Sequence, residues 1–343
     1  MQELSSKKDE LNFFETYFSS SQSRKDKILN FKEKREFTTR IIDTSSNLIN
    51  GTDAVDIAGF KATSLDDIEK LSTNKAHNNI IFLTNNTLAR IVANSILIEH
   101  FKQLSTSSLV VCHDFDNHHW YEMSNLCQEF ADFYFPSHPS GLGWIQNFPS
   151  NMRTFIPAGT VQWPRKLIHE FQSNSILDKR SDEPLGKHHF YPKFTFRNRV
   201  IHTFSDLYPD VCFVDSQIFH TLTPEDKLSE WAAHKVHLII PVRGDIPNRF
   251  FDALITGGLP VVPRELEIVL DFFHIPRNFY SSYNLEDLIT PKIIIDKALE
   301  KFDSEGKEGI LERSYFCLNN FHVLINLHKM LKILLSDIHD TCN

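Results

Sequence analysis

Short apolar runs bounded by turn-forming residues recur along the chain, separated by stretches whose apolar positions keep a helical spacing. The first clear run is Asn79-Ile80-Ile81-Phe82-Leu83, which ends in Thr84-Asn85-Asn86-Thr87 and leads into a helical pattern over residues 88–101. Ser108-Leu109-Val110-Val111-Cys112 follows, then a helix over 122–129, a third strand at Asp132-Phe133-Tyr134-Phe135 and a fourth at Thr154-Phe155-Ile156-Pro157. A second series holds Val211-Cys212-Phe213-Val214, a helix over 224–233, a strand over 236–241, a further helix and the strand Leu259-Pro260-Val261-Val262. It closes with a strand over 279–282, a helix over 285–302 and a long C-terminal helix over 309–336. Continuous apolar strands alternating with helices are the pattern of parallel sheets covered on both faces, because a strand buried on both sides has no polar face. The predicted class is therefore α/β.

The chain has 343 residues, enough for two cores. Residues 1–38 are polar and rich in Lys and Glu and read as peripheral helices. Residues 39–170 form the first predicted α/β domain, the polar stretch 171–187 a linker, 188–318 the second domain, and 319–343 a helix packing back across both. Ligands of such sheets bind beyond the C-terminal ends of the strands, and the polar clusters of this sequence sit at those ends.

Charge narrows the partners. Asp and Glu number 44 against 36 Lys and Arg, a formal charge of −8, with the two signs mixed along the chain. A nucleic-acid surface needs a basic field, so none is expected, whereas a small anion needs only a few local arginines. The 5 cysteines include no CxxC pair, which argues against a thiolate metal site or a disulfide framework and for a reducing compartment. The charged start lacks the apolar stretch of a leader, and no run is long enough to span a bilayer. A cytoplasmic protein is expected, with peripheral contact at the inner face of a membrane and the oligomeric state left open. Asn85-Asn86-Thr87 matches a glycosylation acceptor, but three-residue matches arise by chance and nothing else points to secretion.

The segment 237–263, HLIIPVRGDIPNRFFDALITGGLPVVP, carries the most chemistry. A buried strand ends at Val242, Arg243-Gly244-Asp245 form a tight loop, and Pro247 suits the first turn of a helix. Phe250, Phe251 and Leu254 give that helix an apolar side, and Gly257-Gly258 stop it. A helix start at Asn248 beside Gly244 offers unpaired N–H groups and the positive end of the helix dipole. Arg243 and Arg249 bracket that point, and arginine holds phosphate through paired charge-assisted bonds. The arrangement reads as a diphosphate cradle. The alternative is an ordinary βαβ unit with solvent-facing arginines.

Asp252-Ala253-Leu254-Ile255-Thr256-Gly257-Gly258-Leu259-Pro260-Val261 resembles the nucleotide-sugar-binding core of glycosyltransferases of the GT-B type, which have two Rossmann-like domains facing across a cleft. The resemblance covers roughly residues 185–340, with a weaker match over 75–165. It implies that Asp252, where those enzymes usually carry Glu, binds the donor ribose, and that Gly258 belongs to the same motif. Their earlier Glu falls on Gly244, with Asp245 the nearest acid, so arginine should carry more of the binding. Leu185-Gly186-Lys187 followed by Arg197-Asn198-Arg199 resembles the first loop of the donor domain and places Lys187 near the phosphates. The implied activity is transfer of a sugar from a nucleotide-sugar donor to a glycan or glycolipid acceptor, a saccharide or lipid-linked group. The resemblance implies no required metal.

Transfer needs a base for the acceptor hydroxyl, drawn from the first domain, and positive charge for the leaving diphosphate. Arg243, Arg249 and Lys187 suit the second role. His113-Asp114-Phe115-Asp116-Asn117-His118-His119 follows a predicted strand; Asp116 or His118 suits the base, and Asp114 could orient a histidine. The other reading is a polar strand-end turn bonded to nearby backbone. His138, after the next strand, is a further candidate. Asp114-Phe115-Asp116 also fits the DxD pattern of metal-dependent transferases, so a divalent ion stays an alternative. His188-His189 read as loop residues. No G-x-G-x-x-G, G-x(4)-GK[ST] or G-x-S-x-G pattern is present for a dehydrogenase, an ATPase or a hydrolase. A catalytically silent glycan- or nucleotide-binding module and a nucleotide-sugar epimerase remain the alternatives.

Overall fold

The computed structural model describes residues 23–33, 37–42, 60–73, 78–139, 151–214 and 222–340. A helix α1 over residues 23–32 precedes the first unit. That unit runs β1 (Thr38–Ile42), β2 (Phe60–Thr63), α2 (Ile68–Thr73), β3 (Asn79–Thr84), α3 (Asn85–Val92), α4 (Ser95–Ser105), β4 (Leu109–Asp114), α5 (Tyr121–Phe130) and β5 (Phe133–Pro136). Its five strands are parallel in the order β2-β1-β3-β4-β5. Every residue of β3, β4 and β5 is buried, as their unbroken apolar runs require.

α6 (Arg165–Asn174) leads to the second unit: β6 (Gly186–His188), α7 (Thr195–Ser205), β7 (Val211–Phe213), α8 (Pro224–Ala232), β8 (Val236–Leu238), α9 (Asn248–Ile255), β9 (Leu259–Pro263), α10 (Glu267–Phe272), β10 (Ser281–Tyr283) and α11 (Pro291–Asn320). β6 pairs with β7, and β8, β9 and β10 pair in sequence, all parallel. A bridge from Leu185 to His237 joins the two sets, giving the order β7-β6-β8-β9-β10. Both units thus repeat one doubly wound topology. The strand order reverses between the first and third strands of each, where a crevice opens at the C-terminal edge. The molecule is two α/β units with parallel sheets and flanking helices, the class predicted above.

Several local expectations change. β1 was hidden by its polar interruptions; it alternates half-buried and buried positions, and Arg40 donates to Asn79 at 2.8 Å on the neighbouring strand. Residues 154–157 form no strand. The strand predicted over 236–241 keeps ladder pairing only at Val236–Leu238. His188 lies in β6, fully buried, and not in a loop. Residues 171–187 hold the end of α6 and the start of β6. Residues 291–320 run as one helix interrupted at Gly306, whose backbone is at φ 59° and ψ −148°, and α12 (Val323–Asp340) follows. α11 buries Ile294, Ala298, Phe302 and Leu318 against the second sheet. α12 buries Leu324, Leu327, Met330 and Leu334 against the first.

The chain therefore crosses between units twice, and the crossings meet. Thr160 N–H donates to Phe321 O at 2.9 Å, and Val323 N–H to Thr160 O at 3.0 Å. Gly159 sits at φ 73° there, and a Cβ on it would lie 2.0 Å from Phe321 O. His322 is buried at this crossing; its Nε2 bonds Trp163 O at 3.0 Å and its Nδ1 accepts from Leu324 N–H at 3.3 Å. The neutral ring satisfies both bonds, and burial pushes its pKa down to about 4, opposed by the Trp163 carbonyl. The native state thus resists a proton that the unfolded chain takes up near its ordinary value of 6.5. The stability contributed by His322 is full above pH 6.5 and falls as the pH drops toward 4, by about 3 kcal/mol at most. Unfolding titrations across this window should show a shallower pH slope in His322→Gln, by up to about one proton.

Candidate functional site

The C-terminal edges of the two sheets face each other across a cleft of about 460 Å³. From the first unit it is lined by Phe115, Asp116, His118, His119 and His138; from the crossing, by Val161 and Gln162. The second unit contributes Lys187, His189, Tyr191, Asp245, Asn248, Arg249 and Asp252. Among the described residues, therefore, Asp116, His118, His138, Lys187, Asn248, Arg249 and Asp252 share one cavity. Asp114, Arg243, Gly244 and Gly258 do not line it.

The loop after β4 sorts its residues by direction. His113 is buried, with its Nε2 2.7 Å from Ile156 O and 3.1 Å from Ser137 Oγ. Asp114 accepts from the Tyr134 hydroxyl at 2.8 Å and from Asp116 N–H at 3.0 Å. Burial raises its pKa to about 6, against those bonds. Asn117 accepts from Ser137 N–H and His138 N–H and donates to His138 O. These side chains hold the loop; they do not face the cleft, so Asp114 is a brace and not a candidate for chemistry. Asn85 is buried at the head of α3; its carbonyl accepts from Phe115 N–H at 3.1 Å and its amide donates to Asp116 Oδ2 at 2.7 Å. Its sequon is thus occupied by structure and closed to a glycan.

Four residues of the turn line the cleft: Phe115, Asp116, His118 and His119. His118 Nε2 lies 2.7 Å from His119 Nδ1 and 3.7 Å from Asp245 Oδ2. Burial, then His138 and His119, hold His118 well below the usual imidazole range. His138 Nε2 donates to Phe115 O at 2.8 Å, and burial pushes its pKa down to about 3. Both rings are neutral at physiological pH.

Across the cleft, Arg243 and Gly244 take consecutive left-handed conformations, φ 54° and 77°. That turn folds Asp245 inward, where its carboxylate accepts from Val242 N–H. It also sends Arg243 outward onto Tyr121 and Phe194, 5.8 and 5.3 Å from the ring centres. Arg243 so belongs to a neighbouring apolar hollow, lined also by Phe194, Ile240, Pro263, Tyr283 and Leu288. Arg249 remains in the cleft, donating to Lys187 O at 2.5 Å. A second arginine stands beside it: buried Arg197, from α7, donates to His189 O at 2.9 Å while its Nη2 has no bonding partner. Burial and then the Arg249 guanidinium lower the pKa of Arg197 to about 10, and Asp245 opposes them. Burial raises the pKa of the Asp245 carboxylate to about 7, against its bond from Val242 N–H and the nearby charges of Arg249 and Arg197. The start of α9 adds to this positive field: Pro247 precedes Asn248 and no side chain caps the helix.

Asp252 occupies the second turn of α9 with no exposure. Its carboxylate accepts from Thr160 Oγ1 at 3.0 Å and from Gln162 Nε2, both on the crossing between units. Burial raises its pKa to about 7, against those bonds. Gly258 serves packing: a Cβ there would lie 2.4 Å from the ring of buried His237, which stacks on Trp231 at 5.0 Å. Gly258→Ala should lower the unfolding free energy by about 2–3 kcal/mol through overpacking, read by denaturant titration, without altering groups in the cleft.

Asp245 and His119, which the sequence gives no role of their own, also line the cleft, while Arg197 lines the neighbouring hollow. Gly186 gave the available signal for the sheet that carries Lys187: its missing Cβ would press Val211 at 3.0 Å, so a glycine marks the strand pairing that positions the cleft.

No protein-family model matches the chain, and no curated protein matches it by sequence. Solved structures match at low similarity. Sucrose-phosphate synthase from Thermosynechococcus elongatus is 8% identical with a TM-score of 0.47, over 88% of this chain and 100% of that one. A structure described as trehalose-6-phosphate from E. coli bound with UDP-2-fluoro glucose is 8% identical with a TM-score of 0.45, over 88% and 99%. A chain of the GtfA/B complex is 10% identical with a TM-score of 0.41, over 76% of this chain and 58% of that one. The present chain thus spans little more than half the length of that last match.

Proposed function

We propose that the protein is a glycosyltransferase that uses a nucleotide-sugar donor. The observation that carries this reading is the placement of Arg249 and Lys187 beside the uncapped start of α9, at the C-terminal edge of a doubly wound sheet, with Asp116 facing them from the other unit. A guanidinium lining the cleft suits a diphosphate, which accepts paired charge-assisted bonds. Lys187 adds a second positive charge. The apolar hollow beside Arg243 adjoins the cleft through the 240–245 loop and suits a nucleoside base.

An acceptor hydroxyl loses its proton to the Asp116 carboxylate as its oxygen bonds the sugar's anomeric carbon. The bond from that carbon to the diphosphate oxygen breaks, and its electron pair stays with the departing diphosphate. Arg249, Lys187 and the α9 N–H groups stabilise the added charge. Asn85 holds Asp116 through one oxygen, 2.7 Å away, and aims the carboxylate. The acceptor in this reading is a saccharide or lipid-linked glycan hydroxyl, and the protein works in the cytoplasm without depending on a metal for the transfer itself. Asp252, held by Thr160 and Gln162, ties the crossing to α9; its contact with the donor ribose belongs to the same proposal.

The test is release of free nucleoside diphosphate from a panel of UDP-, GDP- and dTDP-sugars, with and without mixed saccharide acceptors. Acceptor-dependent release supports transfer. Conversion of the donor's sugar without an acceptor would identify an epimerase, and nucleotide binding without turnover in any mixture would identify a silent module.

A further inference from the structure

We propose that His118, His138 and Asp245 form a binding site for a divalent transition-metal ion, zinc by ligand chemistry, bridging the two α/β units. One ring nitrogen of each histidine and one carboxylate oxygen lie within 4.8 Å of one another, and all three residues are buried. His138 Nε2 donates to Phe115 O at 2.8 Å, which places its hydrogen there and leaves Nδ1 as a bare lone pair. That Nδ1 is buried without a partner, and so is Nδ1 of His118. A carbonyl holding one ring nitrogen while the other is free is how metal-binding histidines are commonly oriented.

The second unit supplies the anion. Asp245 has one oxygen engaged by Val242 N–H, and its other oxygen is 3.7 Å from His118 Nε2, beyond hydrogen-bond range. Two imidazole rings 4.3 Å apart and an adjacent carboxylate therefore converge without a hydrogen bond joining any two of them, His118 Nε2 being engaged instead with His119 Nδ1 at 2.7 Å. A cation supplies what the three groups lack. Two imidazoles and one carboxylate suit zinc; calcium and magnesium favour oxygen ligands throughout. Three protein ligands leave a coordination position open, and all three residues border the cleft, so that position faces ligand space. Because His118 and His138 follow strands of one sheet and Asp245 follows β8 of the other, the ion would also fasten the two units together. This site does not depend on the glycosyltransferase reading.

Chelator-treated full-length protein is titrated with zinc by calorimetry in the absence of any nucleotide, and with Co(II) by visible absorption. Expected are one zinc bound per chain, a rise in unfolding temperature on zinc addition, and a Co(II) spectrum of nitrogen and oxygen ligands. Asp245→Asn and His138→Gln should each weaken zinc binding about 100-fold or more while keeping the circular dichroism of the wild type. Should either variant fail to fold, the Co(II) spectrum of the wild type decides. Absence of zinc binding to folded wild type, undiminished stoichiometric binding in both folded variants, or a sulfur-to-cobalt charge-transfer band would overturn the proposal.

Discussion

Asp116→Asn is expected to lower the rate of sugar transfer by about 100- to 10,000-fold, the range for loss of a general base, while leaving nucleotide affinity unchanged. The asparagine keeps the size of the side chain and can still accept from the Asn85 amide, now 2.7 Å from Asp116 Oδ2. The fold of the turn rests on other groups: Asn117 bonds Ser137 and His138, and Asp114 bonds Tyr134. The substitution therefore removes basicity without removing the brace. Single-turnover rates together with nucleotide titrations separate the two effects. Full activity in this variant would exclude Asp116 as the base.

Arg249→Ala is expected to weaken nucleoside-diphosphate binding by about 2–4 kcal/mol, the loss of one or two hydrogen bonds to a charged partner, or roughly 30- to 1,000-fold. Folding should survive, because Phe250, Phe251 and Leu254 anchor α9 in the core and Arg249 lies on its cleft side. Removing one of two neighbouring guanidiniums also relieves repulsion with Arg197. The variant should thus be at least as resistant to heat as expected for a cleft substitution, and its defect should appear in binding. Arg243→Ala, by contrast, should cost less, since Arg243 turns toward Tyr121 and Phe194 outside the cleft.

How much of this was legible follows from the physics of each element. β3 and β4 read directly because both faces are buried, leaving six consecutive buried residues in each. α9 read directly because Pro247 and Gly257, the latter at φ 79°, punctuate both ends. β1 and β6 did not: Arg40 interrupts one, and the other is the three residues Gly186, Lys187 and His188, whose pairing depends on Val211 across the sheet. In the site, the cluster 113–119 was visible as a cluster, but its division was not. Which residues turn inward is set by bonds to Tyr134, Ser137 and Ile156, between 20 and 43 positions away along the chain. The same holds for Arg197, brought beside Arg249 by the packing of α7, and for Asp245, aimed inward by the left-handed turn at Arg243 and Gly244. Arg243 stands beside the helix start in the sequence, while the left-handed turn at Arg243 and Gly244 accompanies a side chain that lies over Tyr121 and Phe194.

In the proposed function the cleft between the two sheets holds a nucleoside diphosphate through Arg249. Calorimetric titration of UDP, GDP, dTDP, CDP and CMP into the folded wild type and Arg249→Ala measures that binding. One diphosphate is expected to bind preferentially, at one site per chain, and the variant to lose most of that affinity while CMP binds weakly to both. Equal affinity in wild type and variant, or no binding of any diphosphate to the folded wild type, would contradict it.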